Sequence, residues 1–250
     1  MMQPNLIIVR AGDSSLHSRW LEGKPQFDIL VSYYGNLTDM WRNSGTYYHQ
    51  YKGLKFDGIT SAISEFDDIV RMYTHVAFPD DDLLASTDDW NNVFDICDRR
   101  QLDVAQPSLV RNGFASRPFL YQQSGSELRL TNFVEVQTPI MNQRALKVLQ
   151  DTFPASPTGW GLDFVWPAML PYPNYRFGIV DAVRVTHTRK SGCGSIYEAA
   201  ARMNVPYKQH QLDLVRRFGI EMPYHMRVYG YYPRNGGDIL IEPGVPEAKE

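Results

Sequence analysis

Apolar runs and helical stripes alternate along the first half of the chain. Residues 5–9 (Asn-Leu-Ile-Ile-Val) are rich in β-branched side chains and read as a strand, closed by the turn formers Ala11-Gly12-Asp13-Ser14-Ser15. Leu16, Trp20 and Leu21 then fall at helical spacing, and Phe27–Tyr33 is a second strand ended by Gly35-Asn36. A strand, a short helix and another strand predict a parallel sheet with crossover helices. Phe56, Ile59, Ala62, Ile63, Phe66, Ile69, Val70 and Tyr73 recur every three or four residues and predict one continuous helix. A third strand over 74–78 runs directly into Pro79-Asp80-Asp81-Asp82. The helix behind it carries Trp90, Val93, Phe94 and Cys97 on one face. Thr87 is its expected N-cap, Asp88 and Asp89 suit the positive end of its dipole, and Arg99-Arg100 close the last turn.

The second half is less regular. A strand is expected over 102–106, an irregular excursion over 111–132, a strand over 133–137 and a helix over 142–150. A turn-rich stretch, 153–159, delivers the chain to Trp160-Gly161-Leu162-Asp163. Residues 177–186 alternate through Ile179, Asp181, Val183 and Val185 and end on His187. Helices are expected over 195–203 and 206–218, then an aromatic segment over 224–232 that reads as a core strand, and a frayed tail over 243–250. No repeat, low-complexity tract or linker divides the chain.

Composition narrows the function classes. Lys+Arg number 25 against Asp+Glu 28, a formal net charge of -3, which argues against a general nucleic-acid binder and leaves only a local basic groove open. The first residues lack a cationic segment followed by a long apolar one, so no secretory signal is read. No stretch approaches the roughly 20 apolar residues of a spanning helix. Two cysteines, Cys97 and Cys193, make neither a disulfide framework nor a zinc spacing. A reducing cytoplasm is the expected compartment.

The chemistry concentrates where the third strand ends. In extended backbone alternate side chains share a face, so Asp80 and Asp82 point together and Asp81 points away. Two carboxylates at the carboxyl end of a parallel strand sit where open α/β sheets place ligands, and they repel unless a cation or a proton intervenes. A hard divalent ion with open positions for phosphate oxygens, Mg²⁺ or Mn²⁺, is the natural partner. An acidic triplet in a surface loop or at a helix start is the plainer reading. Asp163, among aromatics and glycines, has a setting that raises a carboxylate pKa towards general-base work. It serves equally as a helix-start aspartate. His187 offers an imidazole as a third metal ligand, or is an ordinary strand-end histidine.

Order and spacing together carry more than any one residue. An Asp-x-Asp ending an internal strand, a later Trp160-Gly161-Leu162-Asp163 and a strand closing on His187 resemble the GT-A class of nucleotide-sugar-dependent glycosyltransferases. More narrowly, the chain is similar to a family of unknown-function proteins, abundant in plants and present in bacteria, with a D-x-D-L strand end followed by WGLD. The matching segments are 74–83, 102–107, 138–149, 160–166 and 178–187.

The resemblance implies a Rossmann-related α/β fold with a mixed, mostly parallel sheet flanked by helices. It makes 1–190 the nucleotide-sugar-binding and catalytic region, and 191–250 a helical extension of the same domain. It implies that Asp80, Asp82 and His187 hold Mn²⁺ or Mg²⁺, with Asp80 also reaching the ribose. Asp163 takes the place of the base in inverting enzymes, which often show two adjacent acids where this chain has Leu162-Asp163. Lys52, Lys55 and Asp57 fall where the family touches nucleotide base and phosphate, and Asp13 is a further candidate for base or ribose. The partners implied are a nucleotide-sugar donor and a glycan or other hydroxyl acceptor, in polysaccharide or glycan-precursor synthesis. No nucleic acid is implied, peripheral membrane contact stays open, and oligomeric state is not read.

Two other readings stand beside this one. A binding or scaffolding protein could keep the fold without turnover. A two-metal phosphoesterase or nucleotidyltransferase could recruit Asp88 and Asp89 as further acids. Arg10, Arg71, Arg184 and Arg189-Lys190 are read as solvated surface cations.

Overall fold

The computed structural model describes residues 2–190, 193, 200–201 and 204–244. Strand β1 (Asn5–Ala11) is buried along its whole length. It pairs in parallel with β2 (Phe27–Tyr33), from Asn5 opposite Phe27 to Ala11 opposite Tyr33. On its other side it pairs with β4 (His75–Ala77), while β3 (Tyr47–Gln50) adds in parallel outside β2. Alternation along β1 feeds two cores. Leu6 and Ile8 join Phe56 and Ile59 of helix α1 (Lys55–Glu65), whereas Ile7, Val9 and Ala11 join Trp90 and Phe94 of helix α3 (Thr87–Arg99). A strand buried on both faces is what the unbroken apolar run at 6–9 signalled.

Beyond β4 the sheet becomes mixed. β8 (Ile140–Asn142) runs antiparallel to both β4 and β6 (Val104–Leu109). β6 is parallel to β9 (Phe177–His187), and β7 (Ser126–Thr131) is antiparallel to both β9 and β10 (Val228–Pro233). β11 (Leu240–Ile241) closes the edge, so the order is β11-β10-β7-β9-β6-β8-β4-β1-β2-β3. The two-residue β5 (Leu83–Leu84) lies off this path and pairs with the end of β9. Helices α4 (Gln143–Leu149) and α5 (Leu162–Met169) pack on the α1 side through Leu146, Leu149, Val165 and Trp166. The expected mixed α/β sheet flanked by helices is observed.

Several local expectations are corrected. The predicted long helix breaks at Phe66 into α1 and α2 (Asp67–Val70). Phe66, Ile69 and Val70 still pack on one core across the break, so their spacing could not reveal it. Ser86, not Thr87, caps α3: its hydroxyl accepts from the Asp89 N–H at 3.1 Å, and the Asp89 carboxylate accepts from the Ser86 N–H at 2.8 Å. The stretch 111–132 contains β7, whose pattern is hidden by Arg129, a cation buried at a strand position. Residues 133–137 form no strand, and β8 forms three residues later. The C-terminal portion is not only helical: besides α6 (Tyr207–Arg217) it gives the sheet β10 and β11. Most of 195–203 and the tail past 244 lie outside the described residues. Among the described residues no helix is long and apolar enough to cross a membrane.

Candidate active site

The acid segment leaves β4 extended and is held from both sides. The Phe78 and Asp80 N–H groups donate to the carbonyls of Pro139 and Gln137, each at 2.8 Å. The turn after β1 pins the opposite side: the Leu16 N–H donates to the Asp81 carbonyl at 2.7 Å, and the Trp20 indole to the Leu83 carbonyl at 3.0 Å. Pairing of Leu83 with His187 then sets Asp82 beside the imidazole. Both the N–H and the hydroxyl of Thr188 donate to the Asp82 carbonyl.

The side chains alternate as expected. His187 Nε2 lies 3.2 Å from Asp82 Oδ2 and 4.0 Å from Asp80 Oδ2. Asp81 turns away, accepting from the Gly12 N–H at 2.7 Å and meeting Arg189 at 3.3 Å. Burial raises its pKa to about 6, against the opposing pull of those two donors. Ligand atoms from Asp80, Asp82 and His187 all lie within 4.8 Å of one another. His187 Nδ1 is 3.0 Å from the Phe114 carbonyl, which can only accept, so the proton sits on Nδ1 and Nε2 faces the carboxylates. Burial lowers the imidazole pKa, but the hydrogen bond and charge of Asp82, with the charge of Asp80, reverse this and leave it raised. Two carboxylates and one imidazole nitrogen converging at this distance suit Mn²⁺ or Mg²⁺ in donor type and reach.

Lys55 is nearly buried, and its Nζ donates to Asp80 Oδ1 and to the Val136 carbonyl, both at 2.6 Å. Held this way, it fixes one oxygen of Asp80 and leaves Oδ2 on the imidazole side. Arg10 is buried, not solvated. Its guanidinium donates to Ser32, Tyr51 and Gly53 and packs on the Tyr34 ring, 5.2 Å from the centroid. Burial lowers its pKa to about 10. A Cβ on Gly58 would sit 2.1 Å from the Arg10 Cζ, so only glycine lets α1 approach this side chain.

Three of the candidates from the sequence stand apart from the cleft wall. Lys52 binds the carbonyls of Tyr34 and Gly35 and the Asn36 side chain; Asp13 accepts from the Tyr33 hydroxyl and the Asn36 N–H; Asp57 caps α1 at the Leu54 N–H. Asp88 and Asp89 sit on the first turn of α3, where Asp89 completes the cap.

A cleft of about 260 Å³ runs from the metal-ligand cluster to Asp163. Gly161, at φ 94°, makes the left-handed turn that starts α5 and brings Asp163 into its first turn. Asp163 is 8% exposed, and burial, reinforced by the charge of Glu135 and opposed by Arg117, pushes its pKa up to about 7. Such a carboxyl is poised to take a proton near neutral pH.

Glu135 was missed in the sequence, where it passes for a polar position in an alternating stretch. Its signal was an acid between Val134 and Val136, in a run too apolar for a surface strand. Ser116 donates to Glu135 Oε1, and the Glu135 N–H donates to Gln106 Oε1 at 2.6 Å. Burial raises its pKa as well, opposed by the Ser116 hydrogen bond and by His187.

No family model matches the sequence, and no curated protein matches it. Solved structures do. The 1–349 portion of TarS from S. aureus superposes with a TM-score of 0.55 at 16% identity, covering 88% of this chain and 73% of that one. The same portion in complex with UDP-GlcNAc gives a TM-score of 0.52 at 14% identity, covering 88% and 74%. GalNAc-T7, with UDP, GalNAc and Mn²⁺, gives 0.55 at 9% identity, covering 90% and 53%. The fold is that of the GT-A glycosyltransferases. This chain spans about half of GalNAc-T7 and 44% of the longer TarS structure. At these identities the likeness is one of fold; in this chain the acid segment follows β4 and His187 ends β9, at the carboxyl ends of strands, where open α/β sheets bind ligands.

Proposed function

We propose that this GT-A chain is a metal-dependent glycosyltransferase. It moves a sugar from a nucleoside diphosphate to a hydroxyl acceptor with inversion, as part of glycan or polysaccharide synthesis in the cytoplasm. The observation that carries the reading is the convergence of Asp80, Asp82 and His187 on one cleft with Asp163. Asp80 and Asp82 hold the ion with His187 Nε2, while Lys55 keeps Asp80 turned so that Oδ2 faces inward. A bound Mn²⁺ or Mg²⁺ supplies Lewis-acid stabilisation of charge on the departing diphosphate.

The chain's own groups do the rest. Arg189, paired with Asp81 at the cleft rim, adds positive charge where the nucleotide enters. Asp163 accepts the acceptor's proton as the new bond to the anomeric carbon forms and the bond to the diphosphate breaks. Lys52 and Asp13 belong to the surrounding loops and Asp57 to the first turn of α1, and any nucleotide contact they make is at the rim. The narrower kinship with the D-x-D-L and WGLD family rests on Asp80-Asp81-Asp82-Leu83 and Trp160-Gly161-Leu162-Asp163. Asp88 and Asp89 serve α3, so they are not the further acids that a two-metal phosphoesterase would recruit.

UDP-GlcNAc and UDP-GalNAc are the first donors to test, because UDP ligands and Mn²⁺ accompany the structural neighbours. Thermal unfolding with UDP or either sugar nucleotide, with and without Mn²⁺, reads binding directly, since a ligand of the native state raises the melting temperature. The expected result is a rise of several degrees that needs nucleotide and metal together and vanishes in Asp82→Asn and His187→Gln. No rise with any nucleotide in the presence of Mn²⁺ rejects the reading.

A further inference from the structure

We propose that Glu135 determines acceptor specificity: the acceptor presents two neighbouring neutral hydroxyl groups, one to Asp163 as nucleophile and one to Glu135 as anchor. This rests on the glycosyltransferase reading above. Glu135 and Asp163 are each 8% exposed and line the same cleft. Glu135 Oε1 is satisfied by Ser116, but Oε2 has no hydrogen-bond partner among the described residues, and neither has Asp163 Oδ1. A buried carboxylate oxygen without a donor is costly, so two such oxygens on one wall form a paired acceptor site that a ligand's donors satisfy.

The backbone around Glu135 is held on both sides. Gln106 receives its N–H, and Lys55 holds the next carbonyl, that of Val136. Its side chain is therefore placed before any ligand arrives, the condition for reading a hydroxyl position.

Charge selects the kind of donor. Arg117 supplies one positive charge beside Asp163, its guanidinium 5.3 Å from the Phe164 ring centroid and 5.5 Å from that of Phe133. Burial holds both carboxyls partly towards the neutral form. Two carboxyls whose charged forms burial disfavours, with a guanidinium already beside them, suit neutral hydroxyl donors better than a second cation. Trp160 and Phe164 belong to the lining of the same cleft. Asp163 takes the proton of the attacking hydroxyl, and the hydrogen bond to Glu135 decides which of the two hydroxyls attacks.

The test uses methyl hexopyranosides and their monodeoxy and monoamino counterparts as acceptors, with UDP release as the readout. Wild type is expected to lose on the order of 100-fold in kcat/KM for the deoxy analogue lacking the anchoring hydroxyl. In Glu135→Gln the KM for the parent glycoside rises about tenfold or more, and the preference over that deoxy analogue falls below about threefold. Glu135→Asp, which keeps the carboxylate, restores part of the preference. Stabilisation by UDP and Mn²⁺ persists in Glu135→Gln, which confirms the fold and nucleotide site of the variant. Full preference retained in Glu135→Gln overturns the proposal. So does an amino analogue outperforming its parent, or rejection of every methyl glycoside while UDP and Mn²⁺ still bind. Failure of wild type to bind UDP with Mn²⁺ strikes instead at the glycosyltransferase reading itself.

Discussion

Asp181 and Asp163 are both buried carboxylates, yet they are treated in opposite ways. Asp181 lies where the register between β6 and β9 slips, at 0% exposure, and every side-chain oxygen is satisfied. Arg129 meets it with two hydrogen bonds, at 2.7 and 3.0 Å, and the Gln123 N–H adds a third at 3.0 Å. The guanidinium is completed by the carbonyls of Phe119 and Tyr121. Asp163 is nearly as buried but faces a cleft, keeps a bare oxygen and has another acid as its electrostatic neighbour. A saturated buried charge is a structural rivet; an unsaturated one is a reagent held in readiness.

The largest effect that could break this contrast is on turnover. Asp163→Asn keeps the shape and removes the base, so transfer from a UDP-sugar should fall about 10²–10⁴-fold while UDP binding with Mn²⁺ is retained. A variant with undiminished turnover would make Asp163 structural after all. Next is the rivet. Arg129→Met leaves Asp181 charged without its countercharge, and urea unfolding should show a loss of about 3–5 kcal/mol, most of it recovered in the double variant Arg129→Met/Asp181→Leu. A single variant as stable as wild type would mean the pair holds nothing together.

The smallest effect is the sharpest. The pKa of Asp163 is raised to about 7 in the folded chain, above its ordinary 3.8, so the folded state holds a proton that the unfolded chain has released. Its contribution is therefore most favourable below pH 4 and is lost as pH rises through 7. Asp163→Asn escapes that loss and should be the more stable protein at pH 8, an advantage that disappears towards pH 4. Asp163→Asn thus loses turnover and gains stability, the reverse of what removing a rivet does. Equal stability of the two proteins across this range would remove the electrostatic basis of the contrast.

How much of this was visible beforehand follows from the range of each interaction. β1 and β2 were readable because a strand buried on both faces needs a continuous apolar run, β9 because its apolar residues alternate, and β2 falls at the predicted residues. Asp80 and Asp82 were readable because two-residue periodicity is a local property of extended chain. Glu135 was not: its apolar neighbours hint at burial, but Phe133-Val134-Glu135-Val136-Gln137 alternates like a strand, which hides that the segment leaves the sheet and turns its acid into a cleft. That Lys55 holds Asp80 and the Val136 carbonyl was not readable either, because those partners lie 25 and 81 residues away. Arg10 and Arg129 show the same blindness. A buried cation looks like a surface cation until its carbonyls and carboxylates are assembled around it.

By itself the amino-acid sequence determined the layered α/β frame and the types of chemical group at the ends of its strands, because hydrophobic periodicity and turn chemistry act over a few neighbouring residues. The tertiary structure alone decided which groups meet. It closed His187 onto Asp82 through the β5–β9 pairing, set Lys55 against Asp80, and paired Arg129 with Asp181. It also left Glu135 and Asp163 each with a bare oxygen on one cleft wall. Proton affinity and metal-ligand geometry depend on burial and on partners far away along the chain, and those exist only once the sheet has brought its strand ends together.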